Sequence, residues 1–181
     1  MDIVLSPSPM LRQVCEPCEP GDKGIKRLAK QMARTMYENK GCGLAAPQVG
    51  VMKRLVVVDC DTVDETEKAK RDPIYLVNPE LVETSGEPVV EEEGCLSCPG
   101  ILAPVKRRPY AVVRYLDLEG EEWVLEGDGL LGRCLQHEID HLDGKTLFET
   151  CEPAARIAAL QAYEEARAAG ARPGDTGVPK G

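Results

Sequence analysis

Histidine, phenylalanine and tryptophan are close to absent: the 181 residues hold two His, one Phe and one Trp. Aromatics amount to 4% of the chain, too few to build stacking platforms for single-stranded nucleic acid. A surplus of positive charge is also missing. Lys plus Arg number 22 against 31 Asp plus Glu, a net charge of -9. That balance argues against clamping phosphate backbones, and no direct nucleic-acid binding is expected. Long apolar runs are missing too. Leu55 to Val58 falls far short of a membrane span, so no membrane association is expected. The segment Met1 to Pro7 lacks the basic and apolar regions of an export signal. Eight cysteines without such a signal point to a reducing cytoplasm, and their spacing does not suit a small disulfide scaffold.

What is there suits one domain. The chain is 43% apolar and 29% charged, and long enough to bury a core without covalent staples. Residues 1–170 read as that domain. Residues 171–181 carry Gly and Pro with little apolar content and read as a disordered tail. From Asp22 to Asn39 apolar residues recur at helical spacing, with Gly41 as a stop. A loop of small residues, Gly41 to Gly50, follows. Arg54 to Asp59 reads as a buried strand, Cys60 to Asp72 as an exposed loop, and Ile74 to Asn78 as a short strand. Glu91 to Gly100 reads as a strand leading into a turn. Tyr110 to Leu118 and Glu121 to Leu125 form a hairpin about Glu119-Gly120. Asp128 is placed to cap a helix running to about Asp143, with Gly144 beyond its end. A last helix spans Pro153 to Ala169. Short strands, many turns and unalternated helices predict an α+β fold with mostly antiparallel pairing.

Both histidines fall in one motif, His137-Glu138-Ile139-Asp140-His141, inside the helix that starts near Asp128. Positions four apart share a helix face, so both imidazoles reach one metal ion. Glu138 lies at the flank, where it takes a proton from a bound water and passes it on. A catalytic divalent metal usually has three protein ligands and an open position. No third histidine exists, so the third ligand is a carboxylate such as Glu164 or Glu165 on the last helix, or a cysteine. Cys134 lies on the same helix. Cys15 and Cys18, with Cys95 and Cys98, imitate a four-cysteine zinc site, but the gap between the pairs is far too long. A buried apolar position is the plain explanation for most of the eight thiols.

Three segments together resemble the motifs of the peptide deformylase family, in order: Gly41-Cys42-Gly43-Leu44-Ala45-Ala46-Pro47-Gln48, Glu93-Gly94-Cys95-Leu96-Ser97 and Gln136-His137-Glu138-Ile139-Asp140-His141. The likeness runs from about residue 3 to 165. It implies short antiparallel sheets packed around a central metal-binding helix, with a C-terminal helix. It implies a hydrolase that removes the formyl group from N-terminal formylmethionine of newly made polypeptides and releases formate. Cys95 becomes the third ligand beside His137 and His141, with Gly94 letting the chain turn toward the helix. One divalent ion is implied, Fe2+ as the working metal with Zn2+ or Ni2+ as substitutes. Glu138 becomes the proton carrier. The Gln48 amide and the Leu96 backbone N–H become the donors to the tetrahedral oxyanion. Gly43 would let an extended peptide pair edge-on. Cys42, Leu130 and Cys134 are lining candidates for the methionine pocket.

Other features of the likeness concern neighbours and partners. Gln136 reads as support for the site, and Glu93 as a structural partner of Arg133. Cys98 departs from the aliphatic residue usual after Cys-Leu-Ser and adds an oxidisable thiol. The substrates implied are N-formylmethionyl nascent peptides, acted on by a monomer. Relatives suggest transient ribosome contact through the last helix. Here that helix mixes Glu164 and Glu165 with Arg156 and Arg167 and has no basic stripe. Two other readings remain: a metallopeptidase using Glu164 or Glu165 in place of Cys95, and a non-enzymatic module with a closed four-ligand metal.

Overall fold

Asp22 starts the first helix by accepting a hydrogen bond from the Ile25 N–H at 2.9 Å, and α1 then runs over Lys23–Glu38. Its apolar face buries Ala29, Met32, Ala33 and Met36. Each of the two fully buried methionines contributes about 2 kcal/mol. The computed structural model describes residues 1–61 and 71–175. Most of the expected loop from Cys60 to Asp72 therefore lies outside the described residues. No described helix is long and apolar enough to cross a membrane.

Among the described residues seven strands follow: β1 Gly43–Ala45, β2 Leu55–Val58, β3 Ile74–Ser85, β4 Val89–Glu93, β5 Ala103–Arg107, β6 Tyr110–Leu116 and β7 Glu122–Gly127. Five of them form one sheet in the order β1-β2-β3-β6-β7, and β4 pairs with β5 in a second. Every pairing between these strands is antiparallel. The remaining helices are α2 Gly129–Leu142, α3 Leu147–Thr150 and α4 Arg156–Ala168. The fold is α+β, as the patterning predicts. The side chain of Asp128 caps α2 by accepting from the Gly129 N–H at 2.7 Å. Beyond its end, Gly144 has a φ of +74°, and a Cβ there would meet the Arg12 carbonyl oxygen at 2.8 Å.

One strand exceeds its expected length. The expected strand Ile74 to Asn78 continues as β3 to Ser85. Asn78 takes a left-handed φ of +50°, and the register with β6 shifts between Val77 and Glu80. The chain thus bulges without leaving the sheet. Its amide is held on both sides, accepting from the Cys18 N–H at 2.7 Å and donating to the Cys18 carbonyl at 2.9 Å. The start of the last helix also differs: α4 begins at Arg156, three residues after Pro153.

The helix α2 lies against the large sheet. Cys134, Leu135, Ile139 and Leu142 pack on Val56, Val58, Leu76 and Val113. On the other flank, α4 closes over the small sheet, where Tyr163 and Ala159 pack with Cys98, Ala103, Val105 and Phe148. Part of the expected tail is tied down as well. The Gly100 N–H donates to the Asp175 carbonyl at 3.0 Å, and the Arg172 N–H to the Asp175 carboxylate at 2.8 Å. Residues 171–175 close a turn held by these bonds. The rest of that segment lies outside the described residues.

Candidate metal centre and active site

Three ligand atoms converge between the two sheets. Cys95 follows β4, while His137 and His141 sit one turn apart on α2, and their candidate ligand atoms all lie within 4.8 Å of one another. Cys95 Sγ is 3.3 Å from His141 Nε2. The two imidazoles stand edge to face, with centroids 5.0 Å apart. The helix supplies this spacing because i and i+4 positions share a face. Glu164, the alternative ligand, is exposed on α4 and paired with Arg167 at 3.0 Å. Cys15, Cys18 and Cys98 fall in three separate core clusters, so no four-cysteine site assembles from them.

A charged network backs His137. Its Nδ1 lies 3.0 Å from Glu93 Oε2, which leaves Nε2 as the candidate ligand atom. Arg107 holds Glu93 in a two-pronged grip, Nε to Oε1 at 2.7 Å and Nη2 to Oε2 at 3.1 Å. Arg133 Nη2 adds a contact at 3.1 Å, the partner expected for Glu93. Arg107 Nη1 continues to Asp140 at 2.8 Å. Burial alone would raise the Glu93 carboxyl. The hydrogen bonds with His137 and Arg107 outweigh that and hold it at about 2. Gln136 serves the helix and the β5–β6 connection, donating to the Gly132 and Arg108 carbonyls at 2.8 Å each.

Glu138 is 5% exposed, and burial pushes its carboxyl up to about 7. That places it near the range in which a general base and acid works at neutral pH. Its Oε2 is buried without a hydrogen-bond partner among the described residues, as is His141 Nδ1. Such orphaned atoms are costly unless a further group completes the site. One thiolate sulfur and two imidazole nitrogens form an open three-ligand set, with Glu138 alongside. This fits a catalytic divalent ion.

The small-residue loop supplies the opposite wall. After β1 the chain makes a 3-10 turn, Ala46–Val49, that buries Gln48. The Ala45 N–H donates to Gln48 Oε1 at 2.8 Å, so the amide nitrogen faces the centre. Gln48 Nε2 donates to Ser97 Oγ at 3.2 Å and lies 3.5 Å from Cys95 Sγ. Leu96 lies inside a turn closed by the Cys98 N–H on the Cys95 carbonyl at 2.9 Å. The Cys98 thiol also donates to Cys95. This bond, with the positive charge of His141, holds the Cys95 thiol well below its ordinary range.

Two glycines act through space rather than conformation. A Cβ on Gly43 would lie 2.4 Å from Glu138 Oε1 and 2.7 Å from Cys134 Sγ, so only glycine lets α2 approach β1 this closely. Gly94 turns the chain without a left-handed φ. A Cβ there would instead crowd Leu102 at 3.3 Å.

Of the pocket candidates, Cys42 and Cys134 adjoin, with sulfurs 3.9 Å apart beside Gly43. Leu130 is 47% exposed on the first turn of α2. The sequence reading missed Ser97, which receives the Gln48 amide, and Arg107, which anchors Glu93. The register of β4 on β5 brings Arg107 near, and no local motif announces it.

The comparisons agree with this geometry. The family model for polypeptide deformylase matches residues 1–156. A peptide deformylase of Rhizobium meliloti is 43% identical over 164 residues, covering 91% of this chain and 92% of that protein. A peptide deformylase structure from Legionella pneumophila superposes with a TM-score of 0.83 at 38% identity, covering 93% and 95% of the two chains. One from Synechococcus elongatus, solved in complex with actinonin, gives 0.82 at 37% identity over 91% and 86%. The chain belongs to the peptide deformylase family of enzymes.

Proposed function

We propose that this chain is a metal-dependent hydrolase that removes the formyl group from N-formylmethionyl nascent polypeptides and releases formate. The observation that carries the reading is the convergence of Cys95, His137 and His141 beside a buried Glu138 with one unpartnered oxygen. A divalent ion held there, Fe2+ with Zn2+ or Ni2+ as substitutes, would supply Lewis acidity, acidifying a bound water and polarising the formyl carbonyl. The protein groups do the rest. Glu138 accepts the proton of the attacking water and delivers it to the leaving amine, a shuttle suited to its raised pKa. The Gln48 amide and the Leu96 N–H stabilise the oxyanion, each worth about 3 kcal/mol in such a role. Glu93 keeps the His137 ring oriented.

The peptide itself meets an edge. Among the described strands β1 pairs with β2 alone, and its other edge is where an added strand would pair. Gly43 lies on that strand, and Cys42, Cys134 and Leu130 border the space for the methionine side chain. The enzyme would work as a cytoplasmic monomer. For transient ribosome contact, the cationic side of α1, with Lys23, Lys26, Arg27, Lys30 and Arg34, offers more positive charge than α4.

The test is formate release from formyl-Met-Ala-Ser by protein prepared without oxygen, with bound metal counted. The parent should release formate, and Glu138→Ala should lose about 100-fold or more with equal metal. Cys95→Ala should lose the metal. A fully metallated parent that releases no formate overturns the reading.

A further inference from the structure

Helix α2 carries one cysteine, Cys134, beside Glu138, and it too has company. Cys134 Sγ, Cys42 Sγ and Cys60 Sγ all lie within 4.8 Å of one another. They come from three places in the chain. Cys42 precedes β1, Cys60 lies just past the end of β2, and Cys134 is one turn before His137. The antiparallel register of β1 on β2, Gly43 opposite Val58, brings the first two together. All three are free thiols, with Cys134 buried and the other two partly accessible.

The spacing excludes an existing disulfide and is wide enough for a shared ion. A disulfide needs sulfurs about 2.05 Å apart. Three sulfurs around one ion, at metal–sulfur distances of about 2.3 Å, stand about 3.8 to 4.0 Å apart. Cys42 and Cys134 are at 3.9 Å. The surroundings point the same way, since the group packs against Val58, Leu135 and Ile139 in an apolar layer. An all-sulfur donor set selects soft cations, whereas the mixed sulfur and imidazole set at Cys95 also suits Fe2+ and Ni2+.

We propose that Cys42, Cys60 and Cys134 form a second metal site, a three-thiolate trap for a soft d10 cation such as Zn2+, Cd2+ or Cu+. One metal–sulfur bond forms for each S–H bond broken, and each thiol that was protonated releases its proton to solvent. No electron changes hands. The trap shares a wall with the chemistry: the same Cβ built on Gly43 would strike both Cys134 Sγ and Glu138 Oε1. An ion there crowds Glu138 and fills the space beside β1. Occupation therefore shuts down deformylation, a consequence that rests on the function proposed above. The binding itself does not.

The experiment uses the nickel-loaded enzyme under argon, titrated with Cd2+. Bound nickel and cadmium are both counted, together with the ultraviolet thiolate-to-cadmium band and formate release. The expected result is one cadmium per chain with nickel retained, a band of three-thiolate intensity, and loss of activity at one equivalent. Cys60→Ser should keep nickel and its basal formate release yet bind cadmium at least tenfold more weakly. Cys60→Ala gives the same reading should the serine variant fold poorly. Two outcomes overturn the site: no cadmium beyond what replaces nickel, or the same affinity in the Cys60 variants. Cadmium bound at the three thiols of a chain that never released formate would sink the functional reading and leave the trap standing.

Discussion

Two cysteine groups flank Glu138, and they differ in what stands behind them. The Cys95 group joins two imidazoles and is backed by ions: His137 on Glu93, and Glu93 on Arg107 and Arg133, all nearly buried. Among the described residues, the Cys42, Cys60 and Cys134 group rests on an aliphatic layer and on the Cys42 carbonyl, to which the Cys134 thiol donates at 3.7 Å. The first arrangement fixes ring orientation and charge before any ligand arrives, because a buried carboxylate held by two guanidiniums cannot swing away. The second fixes only distance. A rigid, ion-backed ligand set suits a centre that must aim chemistry at one atom. Three thiols suit capture, since sulfur bonds are strong and undemanding in geometry. Removing the backing should therefore matter far more on the first side.

Glu93→Ala is the largest test of that difference. It strands Arg107, which is 8% exposed, without its main partner, and breaking a buried pair of this kind costs about 3 to 5 kcal/mol. It also frees the His137 ring, for which loss of such a partner costs about 10- to 100-fold in metal affinity. Urea unfolding and metal titration read the two effects separately. Cys60→Ser, the matching change on the other side, should stay within about 1 kcal/mol in the same unfolding experiment. Equal losses from both variants would erase the contrast.

Gly43→Ala probes the wall that both groups share. The added methyl meets Glu138 Oε1 and Cys134 Sγ well inside contact distance, so the side chains or the backbone must give. Overpacking of this kind costs about 1 to 3 kcal/mol. Because Glu138 is one of the groups displaced, kcat should fall more than metal content does. A variant with normal kcat would show that Glu138 has room the structure does not suggest.

The legible part of the fold was the part carried by local patterning. The apolar stripe of α1, the Asp128 cap and the β6–β7 hairpin follow from spacing and turn chemistry within a few residues. So do the His137 and His141 pair, since the helix period alone sets them side by side. Cys95 and Gln48 were reached through resemblance, and the structure brings both to the same point. What was not legible depends on register. Arg107 meets Glu93 only because β5 folds back on β4, and Cys60 meets Cys42 only because β2 folds back on β1. The length of β3 also depends on a distant contact: the Asn78 amide grips Cys18, and the strand bulges there and continues.

A smaller effect is expected where the C-terminal helix touches the site's support. Tyr163 on α4 is buried and donates to the Ser6 carbonyl at 2.8 Å, with the Ser97 carbonyl at 3.4 Å. Ser97 in turn receives the Gln48 amide. Tyr163→Phe keeps the packing and leaves those carbonyls short of one donor, a loss of about 1 kcal/mol. Thermal unfolding should register it, while metal content stays unchanged. A large fall in metal content would mean that α4 holds the ligand loop far more directly than one hydroxyl implies.

The smallest effect sharpens the comparison by adding thiols that do neither job. Cys15 and Cys18 are spaced like a metal-binding pair, yet they point into different core clusters. Burial pushes both thiols up to about 11, with the positive charges of Arg54 on Cys15 and Lys53 on Cys18 only partly offsetting it. The thiolate is the reactive form, so the sign is simple: at pH 8 both groups remain protonated, and their reactivity should grow only as pH nears 11. Iodoacetamide labelling of the native enzyme at pH 8, read site by site by mass spectrometry, should leave Cys15 and Cys18 unmodified while Cys42 reacts. Cadmium bound beforehand should protect Cys42 and change nothing at Cys15 or Cys18. Labelling of that pair at pH 8 as fast as Cys42 would mean that the local packing of Cys15 and Cys18 opens readily, and that proximity alone does not set these groups apart.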